Sequence, residues 1–393
     1  MSALEEFRGE ARAWLEENCP AGARGPGQVP NGSSQIEIED ADTRLWLERM
    51  AEKGWTVPTW PAAYGGADLT TQELVVLINE MRQIQARSPL MGMGTSLIGP
   101  TLLEYGTDGQ KERHLPKIAR GELSWCQGYS EPGAGSDLAS LRTRAEDNGD
   151  HFVINGQKIW TSGAQFADWM FCLVRTDPDV PKHEGISFVL LTMDQPGVTI
   201  KPIKLISGNS PFCETFFDNA IAKKEDLVGE LNKGWTVGKR LLQHERSGMT
   251  ALVGGRTQEL EGQLQDIAKQ YVGERDGKIA DPDMRNKVLT HDLNSRAFRL
   301  TQRRTVEESQ DGSTLGPATS IFKMYGTELQ QDRSQLMCEL RGTQGLGWTG
   351  ESFSKTELDW TRMWLSNRAA SIYSGTNEIQ RNIIAKRVLG LPD

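Results

Sequence analysis

Between Leu123 and Asn232 the chain changes its period, and that change limits what it can fold into. FVING, WMFCLVRT (Trp169 to Thr176), ISFVLLT (Ile186 to Thr192), VTIKPIKL (Val198 to Leu205) and ETFFDN are short runs rich in β-branched and aromatic residues. DNGD, DPDVP and DQPG separate them with turn-forming residues, so the block reads as a compact antiparallel β domain. Helical spacing governs both flanks. Leu4, Phe7, Ala11, Trp14 and Leu15 share one face of a helix over residues 3–18, and Leu45, Trp46 and Met50 mark a second that stops at Gly54. Thr70-Thr71-Gln72-Glu73 forms a capping box ahead of LVVLINEMRQIQ, and more helix is expected from Gly109 to Ile118. Past Trp235 the spacing predicts long helices over roughly 235–272, 283–310, 317–340 and 375–389, with the Gly-rich GTQGLGW (Gly342 to Trp348) as a break. The expected fold class is α+β multidomain: an all-α N-terminal domain (1–122), a middle antiparallel β domain (123–233) and a C-terminal helical bundle (234–393). PAGARGPGQVPNGSS (Pro20 to Ser34) is too rich in Gly, Pro and Ser to build a core and is expected to be a mobile surface loop.

Charge and cysteine usage narrow the function. A net charge of −9 with no block of Lys or Arg argues against nucleic acid or an anionic membrane as partner. The five cysteines (Cys19, Cys126, Cys172, Cys213, Cys338) never fall at C-x-x-C spacing and read as isolated reduced thiols, and five scattered histidines give a metal site no support. MSALEEFRGEARAWLEEN is acidic and amphipathic rather than a charged-then-apolar signal. No apolar run approaches about 18 residues, so the expectation is a soluble cytoplasmic protein.

Chemistry is concentrated in SEPGAGSD (Ser130 to Asp137) and in Ile159-Trp160-Thr161-Ser162. Gly133 and Gly135 remove side chains where a ligand could approach the main chain. Pro132 fixes one φ angle, and Ser130, Ser136 and Asp137 place polar groups at the rim. A glycine-lined loop beside a flat aromatic suits a large planar cofactor with a phosphate tail, although a plain Gly/Pro turn between strands has the same composition. SEPGAGSD followed by INGQKIWTSGA resembles the flavin loop of the acyl-CoA dehydrogenase family, and SIYSGTNEIQRNIIAKRVLGLP (Ser371 to Pro392) resembles that family's last helix. GWTVPTWPAAYGG (Gly54 to Gly66) and LVGELNKGW (Leu227 to Trp235) extend the likeness, in the family's order, over nearly the whole chain.

The resemblance implies bound FAD and desaturation of an acyl-CoA thioester to a trans-2-enoyl-CoA, with electrons leaving to an electron-transferring flavoprotein. Gln127, Tyr129 and Ser130 would lie along the isoalloxazine edge, mostly through backbone groups. Trp160 would pack on the ring and Ser162 would donate to its reactive nitrogen. Ser136 would sit at the thioester end of the CoA channel, and Thr376 and Glu378 at the nucleotide half. On the adenosine side the family's R-x-x-F-G run becomes Arg275-Asp276-Gly277-Lys278-Ile279, which carries over Arg275 alone. Its Q-x-x-G-G reads Glu339-Leu340-Arg341-Gly342-Thr343, which favours Gly342. Met91 to Thr95 are candidates for the floor of the acyl pocket.

The family's usual base, the Glu of Y-E-G-T, is absent here: the run reads Tyr373-Ser374-Gly375-Thr376. A serine is no general base near neutral pH without an activating partner. A minority of the family, of the isovaleryl-CoA dehydrogenase type, keeps its Glu on the first helix of the C-terminal domain just before an Arg, and this chain has Glu245-Arg246 there. Leu241, Leu242, Met249 and Leu252 form an apolar stripe that includes Glu245. A carboxylate in such a stripe either has an ionic partner or carries a raised pKa, which a base needs. The resemblance thus makes Glu245 the catalytic base, with Arg246, Ser136, Ser374 and Gly375 at the substrate, the Ser374 amide holding the thioester carbonyl. It also implies a homotetramer or homodimer. Two other readings stay open: a non-catalytic or flavin-sharing subunit of a heteromer with a homologous chain, and a flavin oxidase or monooxygenase on the same scaffold.

Overall fold

The computed structural model describes residues 3–243, 263–308 and 319–392. Several of its helices begin where a side chain takes up one of the first free backbone N–H groups. Helix α1 covers Ala3–Asn18 and α2 covers Ala41–Glu52, the latter capped by Asp40, which accepts from the Thr43 amide. Helix α3 (Thr71–Gln83) carries the reciprocal Thr70/Glu73 box, and α5 (Asp108–Ala119) a second box made by Thr107 and Gln110. Between them a π-helical turn, Gly94–Ile98, runs into α4 (Gly99–Tyr105). Gly54 ends the turn after α2 at φ +72°, where a Cβ would strike the Gly66 carbonyl at 2.3 Å.

Pro20 to Ser34 is not a loose loop. Ala23 is fully buried, Gly25 N donates to Gln85 O at 2.8 Å and Met91 N to Pro30 O at 2.8 Å, while Ser33 N reaches Gly121 O at 3.0 Å. The expectation of mobility weighed side-chain area, whereas this segment is fixed through its backbone.

Seven strands follow: β1 (Trp125–Gly128), β2 (Arg144–Asp147), β3 (His151–Ser162), β4 (Trp169–Arg175), β5 (Ile186–Thr192), β6 (Val198–Ile203) and β7 (Phe212–Lys223). The order is β1-β4-β2-β3-β7-β6, with β5 paired to β4. Most pairs are antiparallel, but β1 runs parallel to β4, Trp125 opposite Trp169 and Gly128 opposite Cys172, and β2 meets β4 in parallel at Arg144 and Arg175. The purely antiparallel expectation is corrected there. The long excursion through β2 and β3 supplies the crossover that a parallel pair needs. Phe171 and Phe188 stack at 6.1 Å and join Leu102, Leu115 and Ile118 of the helices in one core. A second core beneath the sheet holds Cys126, Phe152, Ile154, Met170, Cys172 and Val174. Burial pushes the Cys126 thiol well up and that of Cys172 to about 11, so neither is a nucleophile. His114 on α5 meets Trp125 and Trp169 edge-on, and burial, with Arg113 and Lys117 adding to it, drives its pKa down to about 3.

Helix α6 is described over 234–243. By compactness the chain divides into two units, one of Met1–Ile203 with Pro211–Glu245 and one of Lys204–Ser210 with Arg246–Asp393. In the second unit α7 (Gln263–Val272), the small hairpin β8 (Glu274–Arg275)/β9 (Lys278–Ile279), α8 (Pro282–Glu308), α9 (Thr319–Arg341), α10 (Lys355–Asn367) and α11 (Asn377–Ile383) follow in order. Helix α9 is central, packing on α7, α8, α10 and α11. Leu264, Ala268, Val288, Leu336, Met337 and Leu340 form the core there. Helix α10 was not foreseen, although Ser354 and Glu357 cap it with a box that the sequence displays.

Candidate functional site

In the first unit, the glycine loop leaves β1 and is held from behind. Glu131 and Ala134 exchange two backbone hydrogen bonds of 3.0 Å, closing a turn over Pro132 and Gly133. Around Gly133 and Gly135 a Cβ would find nothing within 4 Å, and neither has a positive φ. The protein's own packing therefore does not demand glycine at these two positions. Their missing side chains leave an open backbone face, with Ser136 exposed beside it.

Behind that face lies a buried polar cluster. Lys158, 0% exposed, donates from Nζ to Glu131 Oε1 (2.8 Å) and to Tyr129 O (3.2 Å). The same carboxylate accepts from the amides of Arg142 (2.6 Å) and Thr143 (2.9 Å). Burial pushes the Glu131 carboxyl up, but the Lys158 charge and these donors outweigh it and hold the group below its ordinary range. Buried Arg175 donates to the carbonyls of Ala139 (2.6 Å) and Leu141 (3.3 Å), and Lys182 pairs with Asp137 at 2.8 Å. The far end of the loop is thereby fixed as well.

Strand β3 adds the aromatic wall. Ile159 N donates to Ser130 O at 2.9 Å, and the β3–β7 register then slips between Lys158 and Thr161. Trp160 occupies that slip at φ +60°, a conformation rare for a bulky side chain, and stands 52% exposed with its ring edge-on to Phe212. Ser162 is half-buried two residues on. Gln127 has a buried carboxamide nitrogen with no hydrogen-bond partner among the described residues. Tyr129 gives its ring to the core, edge-on to Phe171 and Phe188, so its backbone is what it offers the site. The open glycine face, the exposed indole and the orphaned Gln127 donor fit a flat, hydrogen-bonding ring system with an extended tail.

In the second unit, Ser374 (φ +54°) and Gly375 (φ +86°) form an exposed left-handed turn that leads into α11. Thr376 caps that helix, accepting from Ile379 N at 3.2 Å, and Glu378 is exposed in its first turn. Lys323 on α9 props the turn through Ala370 O (2.8 Å), while Gln380 Nε2 reaches Gly375 O (3.3 Å). Gly342 closes α9 at φ +56°. Arg275 is exposed on the hairpin β8/β9, whose Asp276-Gly277 corner takes two positive φ values, as two-residue hairpins favour. Glu245 and Arg246 lie outside the described residues. Of Met91 to Thr95, the last two open the π turn Gly94–Ile98, a local widening of the helix of the kind often found at functional sites.

Glu131 and Lys158 were missed as working residues, though both stand inside the two motifs. Parity held a clue, because Lys158 falls with Phe152 and Ile154 on the inward-facing positions of β3. A lysine on that face has to be paired.

Three family descriptions match the chain end to end: the acyl-CoA dehydrogenase N-terminal domain over residues 2–122, the middle domain over 126–220 and the C-terminal domain over 232–389. The chain belongs to the acyl-CoA dehydrogenase family. This is a family of oxidoreductases that generally bind FAD. Acyl-CoA dehydrogenase IpdE1 of Mycobacterium tuberculosis is 37% identical, the match covering 100% of this chain and 99% of that protein. Among solved structures the Tcur3481-Tcur3483 steroid ACAD is 31% identical with a TM-score of 0.77, covering 100% of this chain and 98% of that one. The ChsE4-ChsE5 complex from Mycobacterium tuberculosis is 29% identical with a TM-score of 0.74, again over 100% and 98%. The three-domain acyl-CoA dehydrogenase fold follows from these matches, and no described helix is long and apolar enough to cross a membrane.

Proposed function

We propose that this acyl-CoA dehydrogenase binds FAD and places a trans-2,3 double bond in an acyl-CoA thioester, with Glu245 as the base and an electron-transferring flavoprotein as acceptor. The observation that carries the reading is Trp160, held half-exposed at an unfavourable φ beside a glycine face that the chain's own packing leaves open. FAD, when bound, supplies the hydride acceptor. Gln127, the backbone at Tyr129 and Ser130, Trp160 and Ser162 hold its ring end, and Arg275, Gly342, Thr376 and Glu378 its nucleotide end. The Glu245 carboxylate takes the α-proton while the Ser374 amide polarises the thioester carbonyl, a backbone role that survives the loss of a glutamate side chain there. Ser136, Arg246 and Gly375 border the substrate. Working boundaries fall at 122/123 and 233/234.

A polycyclic, steroid-like acyl group is the substrate class we favour, because one of the solved relatives is named a steroid ACAD. A second reading, a flavin-sharing subunit of a two-chain assembly, draws support from Ser374 and from the solved relatives named as pairs of chains. The purified protein should be yellow and release FAD on denaturation. Glu245→Gln should keep FAD and bind acyl-CoA, yet bleach its flavin at least about a hundredfold more slowly. A variant that bleaches at the wild-type rate removes Glu245 from the role.

A further inference from the structure

We propose that Lys158 and Glu131 are positioning residues for the proposed flavin site: their buried ion pair sets the glycine loop and the Trp160 bulge in a ligand-ready arrangement before any cofactor arrives. The inference rests on the flavin reading above and goes beyond it, because neither side chain faces the ligand.

The geometry is that of a clamp. One carboxylate and one ammonium tie three backbone segments together: the 129–134 loop through the Tyr129 carbonyl and Glu131 itself, residues 142–143 through their amides, and β3 through Lys158. Lys158 stands two residues before Trp160, and the register slip starts at Lys158. Moving its ammonium would move the origin of the bulge. On the loop side, Ser130, whose carbonyl binds Ile159 N, is the immediate neighbour of Glu131. The two faces assigned to the ring, the Ser130 backbone and the Trp160 indole, are thus joined by two adjacent contacts, the buried ion pair and the Ser130–Ile159 hydrogen bond. A buried ion pair adds little stability over well-packed apolar residues, and fixing registry is its best-attested use. Pre-set geometry raises affinity by removing the ordering cost of binding.

The test begins with FAD titration of the FAD-stripped full chain, followed by the visible absorbance of the loaded protein. Failure of the wild type to bind would sink the flavin reading itself. With wild-type binding in hand, Lys158→Met/Glu131→Gln removes both charges without leaving either one buried alone. It should give a cooperative melt, an FAD Kd raised at least about tenfold, and a shifted flavin band with altered Trp160 quenching. A folded double variant with wild-type Kd and spectrum overturns the proposal. Hydrogen exchange on the wild type provides the arm that needs no variant. The amides of Ala134, Arg142, Thr143 and Ile159 should be protected in the FAD-free protein, and protection that appears only after FAD is added would overturn pre-setting.

Discussion

Trp160 adopts a conformation that costs roughly 1–3 kcal/mol for a residue other than glycine, yet half of its surface stays in water, so packing returns little of that cost. Trp160→Gly should therefore melt no lower than the wild type while binding FAD more weakly. A lower melting temperature with unchanged affinity would mean that the indole serves the fold instead. The polar cluster behind it behaves differently. Lys158→Met alone strands a buried carboxylate and should cost about 3–5 kcal/mol, whereas the double variant should cost clearly less. Because the Glu131 carboxyl titrates below its ordinary range in the folded chain, its contribution is full above the unfolded pKa and fades as the pH falls through the folded one, on the acid side of 4.5. His114 acts over a higher window. Between about pH 6.5 and 3 the unfolded chain binds a proton that the buried imidazole refuses, so stability drops on acidification by up to about 1.4 kcal/mol per pH unit. His114→Gln should flatten the melting temperature against pH between 6.5 and 4, and an unchanged slope would assign it to another group. At this scale the sequence displayed the residues of the open glycine face and the Trp160 bulge, because glycines, an indole and hydroxyls are visible as types. The clamp behind them was hidden, because Glu131 and Lys158 acquire meaning only from burial and pairing.

Elements were most legible where a capping signal met a clear period. The Thr70/Glu73 box opens α3 where the sequence puts it, and the 3–18 and 283–310 expectations agree closely with α1 and α8. Thr70→Ala removes the acceptor for the Glu73 amide and should cost about 1 kcal/mol, read as a lower denaturation midpoint with an unchanged slope. A loss under about 0.3 kcal/mol would mean that water or Glu73 alone satisfies that terminus. Other elements escaped, among them α4 and the short strands β1 and β2. Helix α10 followed a glycine-rich stretch that read as a break, and its Ser354/Glu357 box was passed over. The parallel β1–β4 pair was also missed, because strand direction depends on which distant run lies alongside, and alternation within a four-residue strand carries no such information. The Pro20–Ser34 segment failed for a related reason, since backbone hydrogen bonds leave no mark on composition.

For the whole molecule, the order of helical, strand and helical blocks was readable from periodicity alone, whereas assembly is decided by surfaces whose apolar faces must find cover. On α8, Leu289, Leu293 and Leu300 lie at spacings of four and seven, on one face of the helix, and are 46%, 68% and 58% exposed. Three leucines in a row on a helix this long form a seam that a neighbouring chain of the same fold would bury, at about 1.5–3 kcal/mol for each side chain fully covered. Sedimentation of the wild type should accordingly report a mass well above the 43.7 kDa of one chain, either alone or when mixed with a homologous partner. Leu293→Glu should return it to one chain with its helical signal intact, since the substituted side chain points into solvent in the isolated unit. A wild type that sediments as a single chain under both conditions, or a variant that keeps the larger mass, would remove α8 as the assembly surface.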